Sequence, residues 1–252
     1  MSALLEVEAL EMRFGGVRAV AGVSFSVEQG EVFTLIGPNG AGKTTVFNLI
    51  SRLYTPTAGA IRFEGRDLLG VPAHRVARLG VARTFQNIEL FEHASVLHNL
   101  LIGRHVHRRT ALWQEMLFTP AVRRAERAFR ERVERVIDLL ELQHHRDSLV
   151  AGLPYGVRKV VELGRALAVG PKLLLLDEPS AGLAPVVVQS IFGLMKTIRA
   201  QGFTVLIVEQ NIQQVLKVVD RAYLLETGRI RQSGDAATLL ASDEIRRAYL
   251  GV

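Results

Sequence analysis

The chain has 252 residues, 48% hydrophobic, 22% charged and 6% aromatic, and contains no cysteine. This length supports one or two domains with a real core, and the usage excludes collagen, coiled coil and a largely disordered chain. Lack of cysteine excludes a disulfide framework, a thiolate metal site and cysteine nucleophilic catalysis, and fits a reducing compartment.

The net charge is +6, from 31 Lys and Arg against 25 Asp and Glu. Much of it sits in residues 101–135, which hold nine Arg and four Glu but no Lys. Such a cluster can face nucleic acid or an anionic membrane; the preferred reading is a solvated helix face with i,i+4 Arg–Glu pairs. Met1 to Glu8 lacks the basic start and apolar run of a signal peptide. No stretch approaches the roughly 20 apolar residues of a membrane span, so a soluble or peripheral chain is expected.

In chain order, Leu4–Glu8, Val23–Val27 and Val32–Ile36 read as short strands, and Lys43–Ile50 as a helix after a Gly-rich turn. Ile61–Phe63 and Val81–Phe85 read as strands flanking a helix at Val71–Arg78. From about Ile88 helical periodicity takes over. Val122, Ala125, Phe129, Val133, Val136 and Leu140 recur at spacings of three and four and form one apolar stripe, with Pro120 near the helix start. Helix at Val160–Val169, strand at Leu173–Leu176, helix at 186–200 and strand at Thr204–Val208 then restore an α/β rhythm. All-apolar strands alternating with helices predict a parallel sheet covered on both faces. The expected organisation is a mixed α/β core of residues 1–86 and 159–252, interrupted by a helical subdomain at 87–158.

Gly37-Pro38-Asn39-Gly40-Ala41-Gly42-Lys43-Thr44 fits the phosphate-binding pattern G-x-x-x-x-G-K-[ST] between a strand and a helix. Glycines let successive backbone amides turn inward as an anion nest, and the helix adds its positive end. Lys43 would reach the β- and γ-phosphates, Thr44 would hold Mg²⁺, and Thr45 would contact the α-phosphate. Asp177 and Glu178 end a buried apolar strand, where α/β folds place their ligands. Asp177 suits Mg²⁺, directly or through water. Glu178 suits the deprotonation of an attacking water.

Further elements narrow the choice. Phe85-Gln86 ends a strand, Leu153-Pro154-Tyr155-Gly156-Val157 precedes Leu173, Ser180 to Pro185 follows Glu178, and Leu206 to Asn211 comes later. In this order they resemble the Walker A, Q-loop, signature, Walker B, D-loop and switch loop of ATP-binding cassette ATPases. Met12 to Gly16, Gly37 to Asn48, Arg83 to Asn87 and the tail Ala248 to Gly251 resemble the nucleotide-binding subunits of branched-chain amino acid importers in particular. The lipopolysaccharide-export ATPase is a near relative with a similar tail.

The resemblance implies a P-loop ATPase fold with a mixed sheet, an N-terminal antiparallel β part and an inserted helical subdomain. It further implies Phe14 stacking on adenine and Gln86 touching Mg²⁺ or the attacking water. Two cassettes pack head to tail in this family, so Pro154, Tyr155 and Gly156 would reach the ATP of the partner. A permease, a homodimer or a dimer with a sister ATPase, and indirectly a solute-binding protein would be its partners at the cytoplasmic face of the membrane, with no nucleic acid. Three motifs depart from the pattern: in the signature Pro154 stands in place of the Ser and Val157 in place of the Gln, in the D-loop Ala184 removes the acid, and in the switch loop Gln210 replaces the histidine. A Gln amide still donates to a γ-phosphate but carries no charge. None of the seven histidines then has a catalytic assignment. The competing readings are a soluble cassette ATPase acting on nucleic acid through the Arg-rich segment, and a nucleotide switch without useful hydrolysis.

Overall fold

A computed structural model of the chain describes residues 3–86, 88–108, 111–117, 119–242 and 245; Asn87 and the tail Ala248 to Gly251, used above for the resemblance, lie outside them. In chain order come β1 (Leu5–Phe14), β2 (Val17–Val27), β3 (Val32–Ile36), α1 (Lys43–Ile50), β4 (Ala58–Phe63), β5 (Arg66–Asp67), α2 (Ala73–Leu79) and β6 (Val81–Arg83). The helices α3 (Val96–Gly103), α4 (Leu112–Met116), α5 (Pro120–Leu139) and α6 (Tyr155–Ala168) follow. The chain then runs through β7 (Leu173–Asp177), α7 (Pro185–Ala200), β8 (Thr204–Glu209), α8 (Ile212–Val215), β9 (Arg221–Glu226), β10 (Arg229–Asp235) and α9 (Ala236–Ala241). Two compact units result, residues 1–86 with 172–252 and residues 87–171.

The first unit holds two sheets. An antiparallel sheet runs β2-β1-β4-β5, and a second sheet runs β10-β9-β3-β8-β7-β6. In the second sheet β9, β3, β8, β7 and β6 pair in parallel, and β10 adds an antiparallel edge. The mixed sheet and the antiparallel N-terminal part are as expected. Strand alternation decides which side chains meet. Phe33 and Leu35, Leu173 and Leu175, and Leu206 and Val208 join one apolar cluster with Phe47 and Ile50 of α1 and with Leu5, Val7 and Ile61 of the antiparallel sheet. Their neighbours Ile36, Leu174, Leu176, Val205 and Ile207 are equally buried, on the other face. Burial of both faces is why these strands read as continuous apolar runs. The hairpin β9–β10 went unpredicted because its outer strand alternates exposed and half-buried residues, without an apolar face to announce it.

The second unit is helical. Val122, Val133, Val136 and Leu140 of the expected stripe are buried, and Pro120 is the first residue of α5. The unit runs on to residue 171, past the boundary expected at 158, because α6 packs with α3 and α5. The fit is close: a Cβ at Gly164 would lie 3.1–3.4 Å from Leu140 and Leu100, and one at Gly103 would lie 2.4 Å from the Arg165 carbonyl. The Arg-rich segment pairs between elements, as Arg108 does with Glu115 and Glu126. A cavity of about 920 Å³ opens here, with Leu101, Ile102 and Phe129 among its apolar lining and Arg123, Arg127 and Arg130 among its charged residues.

Leu206 is fully buried at the centre of the parallel sheet. Leu206→Ala is expected to lower unfolding free energy by about 2–5 kcal/mol, read from urea melts followed by circular dichroism. A loss under about 1 kcal/mol would contradict this packing.

Candidate nucleotide-binding site

Parallel register brings the predicted motifs to one edge. Ile36 aligns with Glu209, Asp177 with Val208, and Arg83 with Leu175. The loops that follow β3, β6, β7 and β8 therefore leave the sheet side by side, at its carboxyl edge. Gly37 to Lys43, Gln86, Asp177, Glu178 and Gln210 all belong to these segments.

The Gly-rich loop is shaped by backbone crowding. Gly37 has φ 153°, and a Cβ there would lie 2.1 Å from the Leu225 carbonyl oxygen. At Gly42, with φ 104°, it would lie 2.4 Å from that of Ala19. No side chain fits at either position. The β9–β10 turn braces the loop from behind: the Gly228 amide donates to Ala41 O at 2.9 Å, and Gly228 O accepts from the Ala21 amide at 2.8 Å. Helix α1 starts at Lys43 without a side-chain cap, and its first internal donor is Val46, to Gly42 O. The amides of Lys43, Thr44 and Thr45 thus precede the internal ladder, as first-turn amides do, and suit an anion. Pro38, Asn39, Gly40 and Thr44 are exposed, Thr45 is half-buried, and Ala41 is buried.

Lys43 is buried, and its Nζ donates to the carbonyls of Gly37 at 2.7 Å and Pro38 at 3.0 Å. Burial pushes its pKa down, opposed by the charges of Glu178, Glu209 and Asp177. Glu178 Oε1 lies 4.0 Å from Nζ, and its Oε2 accepts from Gln86 Nε2 at 3.3 Å. Glu178 itself has φ 47°, left-handed backbone for a non-glycine residue, and its amide donates to Val208 O at 3.0 Å. That conformation turns the chain away from β7 directly after Asp177. Lysine, glutamate and glutamine from three loops are thereby drawn together.

Two partners were not foreseen. Arg83 Nη2 donates to Asp177 Oδ2 at 2.6 Å. Glu209, the last residue of β8, is buried and accepts from the amide of Ser180 at 2.9 Å on one oxygen, and from Gln210 at 3.1 Å and Asn211 at 3.3 Å on the other. Burial raises the Glu209 pKa, and these amides oppose the rise. A carboxylate closing an otherwise apolar strand was the available signal. Gln210 itself is exposed.

Phe14, at the end of β1, is 43% exposed and meets Tyr54 edge to face, with ring centroids 5.3 Å apart. Sequence reasoning singled out Phe14 and missed Tyr54, which lies forty positions away. In the helical unit Pro154 occupies the N-cap of α6, so Tyr155, Gly156 and Val157 form its first turn. The first helical donor is Arg158, to Pro154 O, and its side-chain Nε also donates to Leu153 O at 2.9 Å. Tyr155 is exposed and Gly156 half-buried.

This architecture, a P-loop at a parallel sheet edge in a chain that also carries a helical unit, defines a class that comparison with known proteins makes specific. The profile of the ABC transporter family matches residues 20–181. The chain is 38% identical over 249 residues to the high-affinity branched-chain amino acid transport ATP-binding protein BraF of Pseudomonas aeruginosa, covering 98% of each chain. It is 37% identical to the corresponding protein LivG of Escherichia coli K12, again across 98% of both. Its fold is similar to that of MJ1267, an ATP-binding cassette of an ABC transporter in its ADP conformation, with a TM-score of 0.85, 31% identity and complete coverage of both chains. The chain belongs to the ABC transporter ATP-binding family. It is an ATP-binding cassette ATPase.

Gly42→Ala is expected to abolish binding of a fluorescent ATP analogue, because a Cβ would meet backbone that cannot yield. Full binding by this variant would show the loop to be looser than described. Glu209 gives a prediction in pH. A carboxyl whose folded pKa is raised contributes stability below its unfolded pKa of about 4.3 and loses it as pH rises through the folded value. Thermal melts should therefore shift in favour of Glu209→Gln over the parent as pH rises from about 4 toward neutral. A difference that stays flat, or runs the other way, would refute the raised pKa.

Proposed function

We propose that this chain is the ATP-hydrolysing subunit of an importer of branched-chain or related amino acids, working at the cytoplasmic face of the membrane beneath permease subunits. One observation carries the chemistry: Lys43, Glu178 and Gln86 converge beside an uncapped helix start. The solute class rests on the names of the relatives, which are transport proteins for branched-chain amino acids. No helix among the described residues is long and apolar enough to cross a membrane, so movement of solute would fall to partner subunits.

The reaction is ATP + H₂O → ADP + phosphate. Loop amides from Gly37 to Thr45 and the Lys43 ammonium hold the phosphate tail, and Phe14 with Tyr54 offers the adenine an aromatic face. Glu178 takes the proton of the attacking water, and the Gln86 amide orients that carboxylate. Gln210 donates to the γ-phosphate. The residues also fit Mg²⁺: Asp177 Oδ1 is buried without a hydrogen-bond partner, and Thr44 is exposed at the start of α1. Thr44, Asp177 and Gln86 would hold the ion, which when bound neutralises phosphate charge. Pro154, Tyr155 and Gly156 act on the ATP of a second cassette, identical or sister, through the first amides of α6. ATP binding both cassettes favours the closed dimer, and hydrolysis releases it. The Arg-lined cavity of the helical unit supports a role for that unit in gripping the permease.

Two variants test this. Lys43→Ala should weaken ATP binding at least about tenfold in a direct titration, the scale expected when a charge-assisted contact is lost. Glu178→Gln should keep ATP affinity, accumulate dimer on gel filtration with ATP, and release phosphate at least roughly 100-fold more slowly. Turnover of Glu178→Gln near the parent rate would remove the base assignment.

A further inference from the structure

Arg83 belongs to no part of the mechanism above, yet it is among the most constrained side chains beside the site. It closes β6, three residues before Gln86, and its side chain is 8% exposed. One arm of the guanidinium, Nη2, donates to Asp177 Oδ2 at 2.6 Å. The other, Nη1, donates to Asn48 Oδ1 at 2.7 Å and Ser51 Oγ at 3.2 Å, at the end of α1. Its Cζ lies over the rings of Phe47 and Phe85, 5.6 Å and 5.3 Å from their centroids. Position and orientation are both fixed.

The carboxylate it holds is unevenly shared. Asp177 is 2% exposed, its Oδ2 is taken by Arg83, and its Oδ1 is buried with no hydrogen-bond partner. A buried carboxylate is costly unless paired, so some counter-charge is needed. Charge alone would not dictate which oxygen is engaged. A guanidinium held at its other arm does, because its Nη2 then meets one particular oxygen and leaves the other open. We propose that Arg83 is a positioning residue that aims Asp177 Oδ1 at the magnesium of a Mg–ATP complex and joins that aim to the end of α1. The proposal rests on the reading that Asp177 holds the ion.

The alternative role is a folding ion pair that only neutralises Asp177. Arg83→Lys separates the two, since a lysine keeps the charge but cannot span Asp177 and Asn48 together. Asn48→Ala is a second variant, which keeps the Arg83–Asp177 pair and leaves the other arm only the longer bond to Ser51. The readout is equilibrium binding of a fluorescent ATP analogue, titrated with Mg²⁺ and compared with binding in EDTA, beside the melting temperature without nucleotide. Residues orienting a metal ligand typically change metal affinity 10–100-fold. The expected result is a Mg²⁺ midpoint raised about tenfold or more in Arg83→Lys, with affinity in EDTA kept within about twofold. Asn48→Ala should move the midpoint in the same direction, and it decides the question if Arg83→Lys does not fold. Unchanged midpoints, or affinity lost equally with and without Mg²⁺, would overturn the proposal. Asp177→Asn distinguishes the two levels: if it too leaves the midpoint unchanged, the placing of the ion at Asp177 fails. If Asp177→Asn alone moves it, only the role of Arg83 fails.

Discussion

The site depends above all on the in-register parallel pairing of β3, β8 and β7. Parallel strands end at the same edge of a sheet, so residues far apart in sequence emerge together there. Ile36 pairs with Glu209 and Asp177 with Val208, which sets the Gly-rich loop, the paired carboxylates and the switch segment at one level. That register is held by burial on both faces. A slip of one residue would exchange Leu206 and Val208 for Val205 and Ile207 in the apolar cluster and carry Glu209 away from the three amides it serves.

Three carboxylates crowd this edge, and their surroundings give them different tasks. Asp177 is buried and gripped on one oxygen by a guanidinium. Glu209 is buried and saturated by backbone amides, which suits structure and not chemistry. Glu178 alone keeps some exposure, with 14% of its side chain accessible, and its neighbours are the Gln86 amide and, at 4.0 Å, the Lys43 ammonium. A proton acceptor has to be reachable by water, and among the three only Glu178 is so placed. The sequence reading expected Mg²⁺ at Asp177 and the base at Glu178, from their place at a strand end, and gave Glu209 no task.

Much of this was legible in the chain itself. The spans of β3 and α1 matched the expected Val32–Ile36 and Lys43–Ile50 because the boundaries are written in residue type, an apolar run meeting a Gly-rich turn. The helical subdomain announced itself through the stripe from Val122 to Leu140. What stayed hidden was pairing between distant residues. Nothing near Arg83 in sequence points to Asp177, and no local pattern links Tyr54 to Phe14 or Gly228 to Ala41. Strand β1 runs past its predicted end and β2 begins before its predicted start, because the added halves mix buried Leu10, Val20 and Ala21 with exposed and half-buried residues and so lack clean alternation.

The Glu209 carboxylate has a mechanical consequence. Its two oxygens clasp the turn after Glu178 with one hand and the turn bearing Gln210 with the other. Neither turn can drift alone without stripping a buried anion of its donors, which is a heavy cost in a dry interior. The two therefore form a single jaw hinged on the end of β8, and thermal breathing that loosens one must loosen both.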